Sequence, residues 1–183
     1  MNLSNYFYWN NVFSPKEIKD INSLIYKHKD KKEEKHLAAS GVNKTSTVYP
    51  IKLKYLKEIL NKALLKIIEN NQNHYGYDIF NFTDNLCLNF NIYEKNQEYD
   101  WHSDAEYFKS SDIKLTVLIN ISDANFSGGE LNLLNSKNAT VVPELNNPGS
   151  MVVFSSFILH KVNPIKKGTR KTLTIFVKGS AFK

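Results

Sequence analysis

A mainly β chain, with helices confined to its amino-terminal half, follows from three features of these 183 residues. Beyond Asp84, apolar residues recur at every second position, the period of a strand with one buried face. Before about residue 80 they recur at helical spacing instead. Turn signals at Gly128-Gly129, Asn147-Pro148-Gly149 and Lys166-Lys167-Gly168 then cut the second half into short strands. Strands of that length and spacing make a sandwich or a jelly-roll barrel. No repeat, low-complexity tract or Pro/Gly-rich linker divides the chain. A single domain over 1–183 is therefore expected, with 1–83 as helical support and 84–183 as the jelly-roll core.

The elements are read in order. Ser14-Pro15-Lys16-Glu17 opens a helix: Ser14 caps it, Pro15 suits the first helical position, and Glu17 completes a capping box. Ile18, Ile21 and Ile25 give it one apolar stripe. Thr45–Pro50 reads as a short strand or extended segment. A second helix is expected from about Lys52 to Asn70, its stripe being Leu53, Leu56, Leu60, Leu64 and Ile67. In Leu86–Tyr93 the apolar face is Leu86, Leu88, Phe90 and Ile92. In Leu115–Ser122 it is Leu115, Val117, Ile119 and Ile121, and in Arg170–Val177 it is Lys171 (by its stem), Leu173, Ile175 and Val177. Further strands are expected at Glu130–Leu134, Ala139–Val142, Gly149–Ser155 and Ile158–Asn163. The apolar faces suit a covering of two amphipathic helices. The opposite faces carry Asn, Thr, Tyr and Arg, which fill a core poorly and build a site well.

Composition narrows the function. With 42% hydrophobic and 23% charged residues the chain is globular, not disordered. The single cysteine, Cys87, excludes an intrachain disulfide and leaves no basis for a Cys-based zinc site. No apolar run approaches the ~20 residues of a membrane span, and MNLSNYFYWN lacks the features of a secretory signal. A soluble, cytoplasmic protein in a reducing compartment, without a membrane partner, is the expectation. The net charge of +6 invites a nucleic-acid reading. Much of it, however, sits in Lys27–His36, where acids are mixed in as on a solvated helix end or loop. Of the 24 basic residues only Arg170 is an arginine. Where lysine serves, this chain uses lysine, so Arg170 needs a reason.

His28, His36 and His74 sit in polar surroundings and read as solvated. His102 and His160 differ. In extended chain, positions i and i+2 project to one side, so His102 and Asp104 offer an imidazole and a carboxylate to one point. His160, on a late apolar strand, is the candidate third ligand. Two histidines and a carboxylate suit non-heme Fe(II), leaving coordination positions open for substrate and oxygen. Arg170 follows His160 by ten residues. A hairpin centred near Ile165 would set the two opposite each other, with Thr172 on the same face. A guanidinium with a hydroxyl beside a metal is a carboxylate receptor, because the planar fork of arginine pairs bidentately and lysine does not. Trp101 points away from His102 and reads as packing.

The ordered set His102-x-Asp104, His160, Arg170-x-Thr172 resembles the 2-oxoglutarate/Fe(II)-dependent dioxygenases. Tyr93 upstream of His102, KLTVLINIS followed by Gly128-Gly129-Glu130-Leu131, and Pro148-Gly149 through Phe154 resemble the prolyl 4-hydroxylase-like branch over roughly Asp84 to Phe182. The resemblance implies a double-stranded β-helix (jelly-roll) catalytic core. It implies Fe(II) on His102, Asp104 and His160, with the distal carboxylate of 2-oxoglutarate on Arg170 and Thr172. Tyr93 would contact the cosubstrate. Asn120 stands where some relatives turn a tyrosine to that carboxylate, and Tyr99 either shapes the pocket or packs. Implied chemistry is hydroxylation by O2, with succinate and CO2 as coproducts and ascorbate as a reductant. Asp104 favours hydroxylation, since halogenating relatives lack this carboxylate.

The implied substrate is a peptide, protein or amino-acid side chain, with prolyl the natural first guess. Residues 105–113 form either a lid or an ordinary surface loop. Two other readings compete. Nucleic-acid demethylases of the superfamily carry a second arginine six residues after the first, where this chain has Phe176. A cupin-like, non-redox metal or sugar-binding module explains the His/Asp set and leaves Arg170-x-Thr172 without a purpose.

Overall fold

The computed structural model describes residues 6–29, 42–105, 111–135 and 138–181. Helix α1 (Pro15–His28) begins as its sequence requires. The Ser14 hydroxyl accepts from the Glu17 amide at 3.3 Å, and the Glu17 carboxylate accepts from the Ser14 amide at 2.8 Å. Glu17 also holds Lys62 of helix α2 (Lys57–Asn70) at 2.5 Å, tying the two helices together. The expected second helix is split. Leu53–Tyr55 is a 3-10 turn, α2 follows, and Asn71–Tyr75 closes it as a π turn. Leu53, Leu56, Leu60, Leu64 and Ile67 are all buried nonetheless, because the 3-10 turn keeps the stripe on one side.

Strands β1 (Tyr6–Trp9), β2 (Thr47–Lys52), β3 (Cys87–Tyr93), β5 (Ser111–Asn120), β9 (Met151–Ser155) and β12 (Arg170–Ser180) form a major sheet in the order β1-β9-β5-β12-β3-β2. Strands β4 (Tyr99–His102), β7 (Leu131–Asn135), β8 (Asn138–Val142) and β10 (His160–Val162) form a facing sheet in the order β4-β10-β7-β8. The short pair β6 (Ser127–Gly128) and β11 (Ile165–Lys167) joins them at one end. All named strand pairs are antiparallel. This is the jelly-roll architecture expected from the period-two half.

The apolar faces go where the alternation put them. Leu88 and Phe90, Leu115 to Ile121 at alternate positions, and Leu173, Ile175 and Val177 pack with the stripes of α1 and α2 in one core. Each such side chain, fully buried, stabilises the fold by roughly 1.5–3 kcal/mol. The space between the sheets is divided. One part is a second apolar core around Leu131, Leu133, Val152 and Phe154. The rest is lined by polar side chains from β3, β4, β10 and β12.

Two features differ from the sequence reading. Strand β1, at one edge of the major sheet, had no alternation to announce it, since Tyr6–Trp9 are four consecutive aromatics. His160 and Arg170 are not hairpin partners. Strand β10 lies in the facing sheet and β12 in the major sheet, with β11 crossing between them. The two residues meet across the cavity instead of along a ladder. Residues 30–36 of the charged run and 106–110 of the expected lid lie outside the described residues. Among the described residues no helix is long and apolar enough to cross a membrane.

Lys62 and the α1 cap hold the Glu17 carboxyl down at about 2, against an ordinary 4.5. Its contribution to stability is therefore complete above the ordinary value and is lost as pH falls towards 2. Urea titrations should show Glu17→Gln less stable than wild type at pH 6, with the gap closing by pH 2. A gap of equal size at both pH values would exclude the ionised cap as its source.

Candidate metal and carboxylate site

The geometry starts from one cross-strand pair. His102, the last residue of β4, is the ladder partner of His160, the first of β10. This register brings a local His-x-Asp motif and a remote histidine onto one face. His102 Nδ1 lies 2.7 Å from Asp100 O, and His160 Nδ1 lies 2.9 Å from Ile158 O. A carbonyl only accepts, so each Nδ1 carries the proton and each Nε2 keeps a free lone pair. Both Nε2 atoms face Asp104, at 3.5 Å from Oδ1 and 3.3 Å from Oδ2. One ligand atom from each of the three residues lies within 4.8 Å of the others.

Asp104 is itself anchored. Its amide donates to Ser156 O at 3.0 Å, and the Thr116 hydroxyl donates to Oδ2 at 2.7 Å. Burial alone would push its carboxyl up, but whenever the facing imidazoles are protonated their charge and N–H groups outweigh that and hold it well below the usual carboxylate range. Burial likewise lowers the His102 imidazole, with Asp104 pulling the other way. The cluster is thus a carboxylate and two imidazoles presenting lone pairs, which is the donor set Fe(II) takes.

Arg170 lines the same cavity, as do Tyr93, Tyr99 and Thr172. The cavity is narrow, about 40 Å³. Arg170 is only 1% exposed, and its Nε and Nη2 have no hydrogen-bond partner among the described residues. Its guanidinium lies 5.4 Å from the centre of the Tyr93 ring. Burial presses its pKa down, and Tyr93 and Glu130 only partly offset this. A buried cation without hydrogen-bonded compensation costs several kcal/mol. Two orphaned donors beside a metal-type cluster fit a carboxylate ligand.

Asn120 is not part of this lining. It is fully buried, its Nδ2 donates to Leu145 O at 2.8 Å and its Oδ1 accepts from the Ser122 amide at 2.9 Å. Both polar ends serve the turn after β8 and the exit from β5. Tyr99 lies flat on His102, with ring centroids 3.4 Å apart, and the Lys44 ammonium stands 4.5 Å from the same ring. Trp101 stays out of the cavity, under the Lys161 ammonium at 5.2 Å. His28 and His74 stack on Tyr55 and Phe7, away from the site, and His36 lies outside the described residues. Sequence reasoning missed Thr116 and Lys44. The first carried a signal, its place on the polar face of β5; the second sits in an irregular stretch with none. A larger cleft beside the start of α1 carries Glu17 and Asp123 but no histidine, and so no comparable donor set.

The unmatched guanidinium predicts a stability effect. Arg170→Met, similar in length and apolar, should raise the unfolding free energy of the ligand-free protein by about 1–3 kcal/mol in urea titration. A loss of stability would mean that the charge is already compensated.

The family model described as the 2OG-Fe(II) oxygenase superfamily matches residues 88–178. A PKHD-type hydroxylase of Crocosphaera subtropica is 34% identical over 88 residues, or 45% of this chain and 38% of that protein. The chain thus spans well under half the length of that curated relative. Among solved structures, the viral collagen prolyl hydroxylase of Paramecium Bursaria Chlorella virus-1, in its 2OG complex, superposes with a TM-score of 0.71. The identity is 17%, over 96% of this chain and 97% of that one. A Trichoplax adhaerens prolyl hydroxylase, in complex with a hypoxia inducible factor oxygen degradation domain peptide fragment, gives 0.69 at 17% identity, covering 98% and 84%. The structural likenesses concern the jelly-roll fold, and the family match runs through the strands that carry the donor cluster and Arg170: the chain belongs to the 2OG-Fe(II) oxygenase superfamily.

Proposed function

We propose that the protein is an Fe(II)- and 2-oxoglutarate-dependent dioxygenase that hydroxylates a peptide, protein or amino-acid side chain. The observation that carries this reading is the pairing of two features in one cavity. A cluster of two imidazoles and a carboxylate lies beside a buried guanidinium with unsatisfied donors. A non-redox, cupin-like module has use for the first and none for the second.

In this reading His102, Asp104 and His160 hold the metal, and residues 84–183 are the catalytic core, supported by 1–83. Arg170 pairs with the distal carboxylate of 2-oxoglutarate, Thr172 adds a hydroxyl, and Tyr93 forms the wall behind the guanidinium. When bound, iron and 2-oxoglutarate supply with O2 the oxidising power for hydroxylation, leaving succinate and CO2. The chain's own part is placement. The Nδ1 bonds to Asp100 and Ile158 aim the two lone pairs, and Thr116 fixes the carboxylate. A prolyl substrate is the first to try, supported by the PKHD-type relative and by fold neighbours that are prolyl hydroxylases. Nucleic acid is disfavoured, because Phe176 stands where a demethylase has its second arginine.

The test is turnover without added substrate, using purified protein, Fe(II), ascorbate and 2-oxoglutarate, with succinate measured. Wild type should release succinate. His102→Ala should lose it by more than about 100-fold with the metal. Arg170→Lys should raise the 2-oxoglutarate KM by about tenfold or more, because a point charge replaces a bidentate fork. Full activity in both variants would remove the site assignment, and absence of succinate from wild type would favour the non-redox module.

A further inference from the structure

We propose that Gly129 is the positioning residue for the Arg170 guanidinium, and that its missing side chain is the lane through which this arginine reaches the cavity. The inference rests on the 2-oxoglutarate site proposed above. Gly128 and Gly129 both adopt left-handed φ values, +78° and +70°. Backbone conformation therefore favours glycine at both positions. Their surroundings tell them apart.

A Cβ on Gly128 would strike main chain, namely Pro164 O and Lys166 N, the latter at 2.7 Å. A Cβ on Gly129 would strike side chains: the Ile165 Cδ1, and the Arg170 Cδ at 2.9 Å, with Arg170 Nε at 3.7 Å. Gly128 thus protects the β6–β11 pairing, whereas Gly129 protects the course of one arginine. Neither party can step aside. The Gly129 amide is hydrogen-bonded to Pro164 O at 3.2 Å, which pins the glycine. The Arg170 backbone is held in the ladder opposite Tyr93. The Tyr93 ring bounds the guanidinium on another side, and Ile165 is fully buried against Tyr93 and Val162. Cδ sits midway along the side chain, so displacing it moves Nε and Nη2, the two atoms without partners. Misplacement of a clamp by about 1 Å is enough to cost 100-fold in function. Gly129 touches neither the donor cluster nor the cosubstrate in this account; it acts through Arg170.

Calorimetric titration of 2-oxoglutarate into Co(II)-loaded protein tests this, Co(II) serving as a redox-inert probe of the metal site. The variants are Gly129→Ala, Ile165→Val and the double variant. Ile165→Val removes the Cδ1 atom and with it the Ile165 collision, leaving only the collision with Arg170. Wild type and Ile165→Val should bind 2-oxoglutarate within about twofold of each other. Gly129→Ala and the double variant should both bind about 10- to 100-fold more weakly. Co(II) affinity without 2-oxoglutarate should be unchanged throughout, a split that a general loss of structure would not produce. The inference fails if the double variant recovers wild-type 2-oxoglutarate affinity, or if Co(II) affinity falls in parallel. Should Gly129→Ala fold too poorly to titrate, its effect on the urea midpoint is measured again in an Arg170→Ala background. The effect should shrink there, and an undiminished effect overturns the proposal. Wild type binding Co(II) but no 2-oxoglutarate would sink the proposed function itself, an outcome distinct from wild-type binding that Gly129→Ala leaves intact.

Discussion

The antiparallel pairing of β4 with β10 is the constraint on which the site depends. It sets His102 opposite His160, so two imidazoles share a face before any metal is considered. From there the chemistry is local. Each ring is turned by a carbonyl two residues before it in the chain, and Asp104 reaches the same point because it lies two residues beyond His102. A slip of one residue in this ladder would send one imidazole to the far side of the sheet. The cluster is therefore as well defined as the strand register, and no better.

The site occupies the part of the inter-sheet space that the apolar residues leave free. Leu118, Leu131, Val152 and Phe154 fill one share, and Tyr93, Thr172, Thr174, Asn91 and Arg170 line another. Some polar groups there satisfy one another, as when Asn91 Nδ2 donates to Thr174 Oγ1 at 3.0 Å. Arg170 does not. Buried polar groups are nearly always paired, so an unpaired one in a cavity lining marks a place where stability has been given up.

The sequence was most legible where the physics is periodic. The alternation of β3, β5 and β12 and the stripes of α1 and α2 translate directly into one core, because each apolar face has a single place to go. The Ser14–Glu17 cap is legible for the same reason: four consecutive residues contain both its hydrogen bonds. His102, Asp104, His160 and Arg170 stood out by residue type and spacing. How they meet did not. The hairpin geometry for His160 and Arg170 fails because three consecutive strands, β10, β11 and β12, each choose a different partner, and spacing alone does not reveal a change of sheet. Asn120 shows the complementary limit. A polar side chain on the inward face of a strand looks like a ligand residue until the turn it braces comes into view.

Strands β1 and β2 both come from the first 83 residues, and they are the two outermost members of the major sheet, β1 beside β9 and β2 beside β3. The amino-terminal part is therefore more than a helical backing: it hems the sheet on both sides. Removing it would bare two lengths of unpaired main chain at once, each an invitation to pair with another molecule. Both histidines of the donor cluster sit in the facing sheet, whereas the sheet that carries Arg170 and Thr172 owes both of its finished margins to the segment upstream.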